Sequence, residues 1–138
     1  MPSPSLPILY SNDSCPYAFR ARCALHYAGI EVEHREIAFD NKPPSMLEAS
    51  PKGTVPTLVL ADGRVIDESW DVMRWAIAID DPDNWAGDNG GSLGLANGLV
   101  AQNDGEFSNY TYYVQYASSY PERSQLEDRN KTMAFASQ

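Results

Sequence analysis

The chain has 138 residues and a formal net charge of −9, from 19 acidic and 10 basic side chains, and 43% of its residues are hydrophobic. This length predicts one full domain, or one small domain followed by part of a second. The acidic balance predicts no binding to nucleic acids or anionic membranes, because both need clustered lysine and arginine. The sequence lacks a run of about 18 apolar residues, and residues 1–5 lack the features of a secretory signal, so we expect a cytoplasmic protein with no membrane partner.

The two cysteines, at positions 15 and 23, belong to one predicted helix. Such a helix separates them by about 12 Å, so the two thiols cannot form a disulfide bond with each other. The sequence has no group of cysteines and histidines with the spacing of a zinc site, and we therefore expect no bound metal. Cys23 is interpreted as a packing residue of the helix.

The segment after the first predicted strand carries the candidate nucleophile. An apolar run from Leu6 to Tyr10 predicts a buried strand, and a helical pattern follows from Pro16 to Gly29. Proline favours the first position of a helix, which places Cys15 at the N-cap, where the free N–H groups of the first turn and the helix dipole favour a thiolate. We therefore predict that Cys15 is a nucleophile; the alternative is a buried cysteine that precedes a proline.

The rest of the first half has clear secondary-structure patterns. They predict a strand over residues 30–37, a short helix over 45–50, a constrained loop over 51–56, strands at 57–60 and 65–66, and a helix from 68 to about 80. The Asp62–Gly63 pair between the last two strands is typical of an antiparallel hairpin. The order β-α-β-α-β-β-α favours a mixed four-stranded sheet with helices on both faces, which is an α/β fold.

The second half of the chain predicts helices without strands. Glycines, aspartates and a proline over residues 81–91 predict a linker. Apolar residues then recur at spacings of three and four, which predicts one long helix over about residues 92–118, and a capping-box pattern at Ser124 begins another helix. We expect a partial all-α region here. The tyrosines at positions 112, 113 and 116 leave aromatic surface to cover, which favours a homodimer.

Three short motifs in the first half resemble those of one protein family. They are Ser14-Cys15-Pro16-Tyr17, Gly53-Thr54-Val55-Pro56-Thr57-Leu58 and Glu68-Ser69. Over about residues 6–80, the chain resembles the thioredoxin-like N-terminal domain of cytosolic glutathione transferases, in particular the cysteine-containing members with omega-like or beta-like sites. The resemblance implies a thioredoxin-like glutathione-binding domain over residues 1–80, a linker over 81–91 and a truncated helical domain over 92–138.

The resemblance also implies how the first two motifs contact glutathione. Cys15 is then the thiol that meets the glutathione sulfur, and Tyr17 lies beside the ligand. Pro56 is the cis-proline of the family. Val55 offers its backbone N–H and C=O groups to the cysteinyl part of the tripeptide, as an added antiparallel strand does.

Other residues are implied at the two charged ends of glutathione. Glu68 suits the γ-glutamyl ammonium group, and Ser69, at a helix N-terminus, suits the γ-glutamyl carboxylate. Lys42 and Lys52 are candidates for the glycyl carboxylate, although loop lysines are more often simply solvated. Asp104, on the long predicted helix, is placed to reach the glutathione of a partner subunit, or it simply keeps the helix soluble.

Ala18 stands where a dithiol oxidoreductase has its second cysteine, so Cys15 has no resolving thiol nearby. We therefore predict a monothiol route, in which Cys15 forms a mixed disulfide with glutathione and a second glutathione releases it. The resemblance implies a glutathione transferase-like enzyme that acts on a small electrophile or a disulfide, with thiol transfer favoured over conjugation. The alternatives are a non-catalytic binding or protein-interaction module, and a truncated remnant whose last helices are poorly ordered.

Overall fold

The computed structural model describes residues 5–115 and 117–136, apart from the side chains of residues 106, 110–112, 135 and 136. The expectation about a secretory signal, which concerns mainly residues 1–4, and the predicted aromatic surface of Tyr112 and Tyr116 therefore lie outside the described residues. The chain divides into two compact units, Met1–Ala86 and Gly87–Gln138. In the part of the chain that is described, no helix is both long and apolar enough to cross a membrane.

The first unit has its helices and strands in the predicted order. They are β1 (Ile8–Ser11), α1 (Pro16–Tyr27), β2 (Glu33–Glu36), α2 (Pro44–Ala49), β3 (Thr57–Val59), β4 (Val65–Ile66) and α3 (Ser69–Ile79). The strands form one sheet in the order β2-β1-β3-β4. Strands β1 and β2 are parallel, whereas β1 with β3 and β3 with β4 are antiparallel, so the predicted mixed sheet is confirmed.

The sheet register brings two of the three motifs to one edge. Tyr10 of β1 pairs with Arg35 of β2 and with Thr57 of β3. Because β3 runs antiparallel to β1, the end of β1 and the beginning of β3 share this edge of the sheet. The loop that leads to Cys15 and the segment that precedes Thr57 are therefore neighbours, although they are about 40 residues apart in the sequence.

Helices cover both faces of the sheet, as predicted. Neighbouring residues of a strand point to opposite faces, so Leu9 and Tyr10 belong to different clusters. Leu9 packs with Leu58 and with Val72 of α3 on the face that α1 and α3 cover. Tyr10 packs with Met46 of α2 on the other face.

Helix α1 approaches the sheet closely because it buries small residues. Its buried side chains are those of Ala18, Ala21, Ala24 and Leu25. Cys23 is exposed, so its interpretation as a packing residue was wrong. The helical spacing of the alanines places them on the buried face of α1, and Cys23 lies on the opposite, exposed face.

The segment after α3 packs against Tyr27 of α1, although the sequence predicts a linker from residue 81. The carboxylate of Asp81 accepts hydrogen bonds from the N–H groups of Trp85 and Ala86 at 2.8 and 2.9 Å and from the Tyr27 hydroxyl at 2.9 Å. The rings of Tyr27 and Trp85 are stacked with centroids 3.5 Å apart. The Ala86 N–H holds the pKa of Asp81 below its ordinary value, whereas burial raises the pKa of Tyr27 to about 12. Residues 81–86 therefore pack within the first unit.

The described residues of the second unit form helices joined by turns, with no strand among them. They are a 3₁₀ turn (Asp88–Gly90), α4 (Leu93–Gln102), a π-helical turn (Asn103–Phe107), α5 (Ser108–Gln115), a 3₁₀ turn (Ala117–Ser119) and α6 (Gln125–Ala136). The single long helix predicted over residues 92–118 therefore differs from the structure, which has a π turn in its middle. A π turn adds one residue to the helical repeat, and a pattern of apolar residues at spacings of three and four does not reveal it.

A charged pair lies at the beginning of α6. Arg123 donates hydrogen bonds from Nε and Nη2 to the Asp128 carboxylate at 2.9 and 2.7 Å. Its guanidinium carbon lies 3.6 Å from the centre of the Tyr113 ring. These hydrogen bonds hold the pKa of Asp128 below its ordinary value. The Ser124 hydroxyl accepts the N–H of Glu127 at 3.2 Å, which is one half of the predicted capping box.

Candidate functional site

Cys15 is the N-cap residue of α1, as predicted, with Pro16 at the first helical position. The Cys15 side chain makes no capping hydrogen bond to the first turn of the helix, where the sequence argument placed the sulfur. Instead, Sγ lies 3.9 Å from the carbonyl oxygen of Val55 and can donate a weak hydrogen bond to it. The half-buried thiol therefore lies against the peptide group that precedes Pro56.

The loop that positions Cys15 is organised by Asn12. The Asn12 side chain accepts the N–H of Ser14 at 2.9 Å and donates to the carbonyl oxygen of Ile37 at 2.8 Å, beyond the end of β2. The Asn12 carbonyl oxygen accepts the N–H of Cys15 at 3.1 Å and Nη1 of Arg22 at 3.4 Å. Asparagine commonly forms such turns, but the sequence alone gave no indication of the bond to Ile37.

The Val55–Pro56 peptide bond is cis, as the resemblance implies. No hydrogen bond joins the Val55 N–H to any described residue, so this group can pair with an extended ligand. The preceding loop turns at Gly53, which has φ of +60°. A Cβ atom there would lie 2.9 Å from Cδ2 of Leu47 and 3.3 Å from Nζ of Lys42. Lys42 therefore lies beside the loop that leads to Val55.

Ser69 begins α3, and Glu68 is its N-cap residue, as predicted. Ser69 is buried, and its hydroxyl oxygen accepts a hydrogen bond from Nε of Arg20 at 2.8 Å. The Ser69 hydroxyl can still donate its own hydrogen to a carboxylate, because a hydroxyl is both donor and acceptor. The Arg20 guanidinium also lies over the Tyr17 ring, 5.0 Å from its centre. The sequence patterns gave no indication of this contact between Arg20 and Ser69.

Two carboxylates and one lysine surround the N-terminus of α3. Nζ of Lys52 lies 2.5 Å from Oε1 of Glu68 and 3.5 Å from Oδ1 of Asp67. The hydroxyl of Ser50 donates to Oδ2 of Asp67 at 2.8 Å. The hydrogen bond to Glu68, followed by the charge of Asp67, raises the pKa of Lys52 above its ordinary value. Lys52 is therefore paired, and it is not the simply solvated lysine that the sequence favours.

Most of the predicted site residues lie in the first unit, in loops or in the first turns of α1 and α3. Cys15 contacts Val55 directly, whereas Tyr17 is connected to Ser69 through Arg20. Asp104 belongs to the second unit, where it is exposed and accepts a hydrogen bond from the Asn103 side chain at 3.2 Å. Its predicted reach to the glutathione of a partner subunit stays a prediction.

One group of side chains has the composition of a metal site. Asp13, His34 and Glu36 each offer a ligand atom, and these atoms lie within 4.8 Å of one another. All three residues are exposed. Glu36 already accepts the N–H of Asp13 at 2.8 Å, and its other oxygen lies 3.5 Å from Nε2 of His34, so contacts within the protein account for the grouping.

Comparison with known sequences finds a family match within the first unit. Residues 14–78 match the family model described as "Glutathione S-transferase, N-terminal domain". Among curated proteins, glutathione S-transferase omega-1 of Mus musculus is 38% identical over 61 residues, which are 44% of this chain and 25% of that protein. The resemblance to glutathione transferases is therefore confirmed. The chain spans a quarter of the length of this relative.

Comparison with solved structures supports the same fold. Glutathione transferase Omega 3C of Trametes versicolor matches with a TM-score of 0.81 and 20% identity, over 97% of this chain and 57% of that chain. A glutathione transferase homolog from Sulfitobacter with bound glutathione matches with a TM-score of 0.67 and 16% identity, over 94% of this chain and 63% of that chain. The predicted thioredoxin-like α/β fold is thus confirmed.

Proposed function

We propose that this chain, whose residues 14–78 match the family model of the glutathione S-transferase N-terminal domain, binds glutathione and transfers glutathionyl groups through Cys15. The similarity to a Sulfitobacter homolog with bound glutathione supports the ligand. The two unpaired cysteines suit a cytoplasmic location, because disulfides are rare in reducing compartments. The activity is thiol transfer, with conjugation of a small electrophile secondary.

The observation that carries this proposal is the 3.9 Å distance between Cys15 Sγ and the Val55 carbonyl oxygen. An extended tripeptide that pairs with the N–H and C=O groups of Val55 places its cysteinyl residue beside this peptide group. The ligand sulfur then lies close to the Cys15 sulfur. Ser69 and Arg20 suit the γ-glutamyl carboxylate. The Ser69 hydroxyl and Nε of Arg20 are 2.8 Å apart, so one carboxylate can contact a hydroxyl donor and a guanidinium together.

The proposed reaction has two thiol–disulfide exchanges. The Cys15 thiolate attacks the glutathione sulfur of a mixed disulfide, which forms a Cys15–glutathione disulfide and releases the substrate as a thiolate that takes up a proton. The thiolate of a second glutathione then attacks the glutathione sulfur of this intermediate. Oxidised glutathione leaves, and the Cys15 thiolate is regenerated. Since Ala18 provides no second thiol in the motif, the second glutathione is needed in each turnover.

The test compares two cysteine variants in a reduction assay with a glutathionylated small thiol and reduced glutathione. We expect Cys15→Ser to lower the rate at least about a hundredfold, because a serine hydroxyl is not ionised and cannot form the intermediate. Cys23→Ser is the matched control on the same helix and should retain the wild-type rate. Glutathione binding in calorimetry without turnover would indicate a binding module instead.

A homodimer is part of the proposal, because the second unit has large exposed apolar side chains such as Leu95, Leu99 and Leu126. Asp104 then contributes to the site of the partner subunit. Analytical ultracentrifugation should give twice the mass of one chain, and Asp104→Asn should weaken glutathione binding without changing that mass. A monomer at micromolar concentration would contradict this part of the proposal.

A further inference from the structure

We propose that Lys52 competes with the γ-glutamyl ammonium group of glutathione for Glu68, and that Asp67 receives the Lys52 side chain when the ligand displaces it. The inference rests on the proposed function, because it concerns the γ-glutamyl end of the same ligand. It makes Lys52 a specificity-determining residue, which lowers the affinity of the site for ligands that carry an ammonium group there.

The competition follows from the contact between Lys52 and Glu68. Nζ of Lys52 donates a charge-assisted hydrogen bond to Oε1 of Glu68, with the two atoms 2.5 Å apart. A ligand ammonium group has the same charge and the same donors as the lysine ammonium. Both groups therefore seek the same carboxylate oxygen, and a ligand that binds there has to replace Lys52.

Asp67 provides the second position for Lys52. Oδ1 of Asp67 is already 3.5 Å from Nζ, so a small movement of the lysine side chain converts one pair into the other. The other oxygen of Asp67 accepts the hydroxyl of Ser50, which is 2% exposed, and this bond fixes the carboxylate. Two carboxylates share one lysine here. The site therefore has room for a second positive charge, which the ligand supplies.

The test is calorimetry of the full chain with two probes, glutathione and glutaryl-cysteinylglycine, which has hydrogen in place of the amino group. We expect Lys52→Gln to tighten glutathione binding about two- to fivefold, the range of an exposed ion pair, and to leave glutaryl-cysteinylglycine unchanged. Arg64→Gln is the matched control. It removes one positive charge from an exposed pair with Asp62 in the hairpin turn, and it should leave the ratio of the two affinities unchanged.

A double-mutant cycle tests the role of Asp67. We expect Asp67→Asn to weaken glutathione binding about twofold or more when Lys52 is present, and to have no effect in the Lys52→Gln background. Equal weakening in both backgrounds would overturn the role of Asp67, because it would indicate a purely structural effect.

The two probes separate the failure of this inference from the failure of the proposed function. Equal changes of both affinities in Lys52→Gln would overturn the competition, since they would reflect the net charge of the site. Absence of binding of both probes to the wild-type chain would overturn the proposed function, and this inference with it.

Discussion

The two compact units differ in what they bury. In the first unit, Leu9, Met46, Leu58 and Val72 are at most 1% exposed. In the second unit, Asp128 is the one buried residue among those described, and Leu95 is 73% exposed. A sheet offers two faces for packing, so a short chain segment can enclose a core on both sides of it. The described residues of the second unit include no sheet on which its helices could pack.

This difference explains where the candidate site lies. Each loop that carries a proposed site residue in the first unit begins or ends at a strand or helix of the buried core. Cys15 follows β1, Val55 precedes β3 and Glu68 precedes α3. A rigid core thus positions the three loops, which is the arrangement that a binding site needs.

The largest expected difference in stability is between replacing a leucine with alanine in the first unit and making the same replacement in the second unit. Leu58→Ala removes a fully buried side chain, and we expect the free energy of unfolding of the first unit to fall by about 2 to 5 kcal/mol. Leu95→Ala should change the stability of the second unit by less than about 0.5 kcal/mol, because its side chain is mostly exposed. Urea unfolding measures the first by fluorescence, since all three tryptophans precede residue 87, and the second by circular dichroism. Equal losses would contradict the comparison.

Replacing glycine with alanine should lower the stability at one position and raise it at another. Gly53→Ala forces a side chain into the left-handed region and against Leu47, so we expect a loss of roughly 1 to 2 kcal/mol and weaker glutathione binding. Gly98→Ala in α4 meets open space and should stabilise that helix by about 0.5 to 1 kcal/mol. Thermal unfolding of both variants checks the signs. Stabilisation by Gly53→Ala would contradict the geometry of this loop.

The ion pair of Arg123 and Asp128 should make the stability of the second unit decrease at low pH. Arg123 holds the pKa of Asp128 below the value of an unfolded carboxyl, so the pair stabilises the folded chain above that value. The stabilisation is lost as the pH falls below about 4 and through the folded pKa. Arg123→Gln should lower the unfolding temperature at pH 7, by less than Leu58→Ala does, and should reduce the further loss in acid. A greater acid loss in the variant than in wild type would exclude this role.

The smallest expected effect on stability concerns Tyr27, whose hydroxyl makes hydrogen bonds to Asp81 and Asp83 in the segment after α3. Its pKa is raised to about 12, so the protonated hydroxyl stabilises the fold below the ordinary tyrosine pKa near 10. This contribution is lost as the pH rises from about 10 to 12. Tyr27→Phe should remove one late-ionising tyrosine from an absorbance titration of the eight in the chain. An unchanged titration at high pH would show that another tyrosine ionises late.

Local patterns in the sequence predict much of the fold and part of the site. The order of the strands and helices in the first unit, the N-cap position of Cys15 and the start of α3 at Ser69 depend on neighbouring residues, which propensities and spacing describe. Contacts between distant residues were missed, such as Arg20 with Ser69 and Tyr27 with Asp81. The π turn at Asn103–Phe107 was missed as well, because nothing in the spacing of apolar residues marks its extra residue.

The most direct test of the proposed role of Cys15 is the position of the adduct that oxidised glutathione forms. The chain is incubated with oxidised glutathione at neutral pH, digested without reductant, and its peptides are analysed by mass spectrometry. We predict one glutathione adduct, on Cys15, although Cys23 is the more exposed of the two thiols. An adduct found on Cys23 alone, or an unmodified Cys15, would contradict the account.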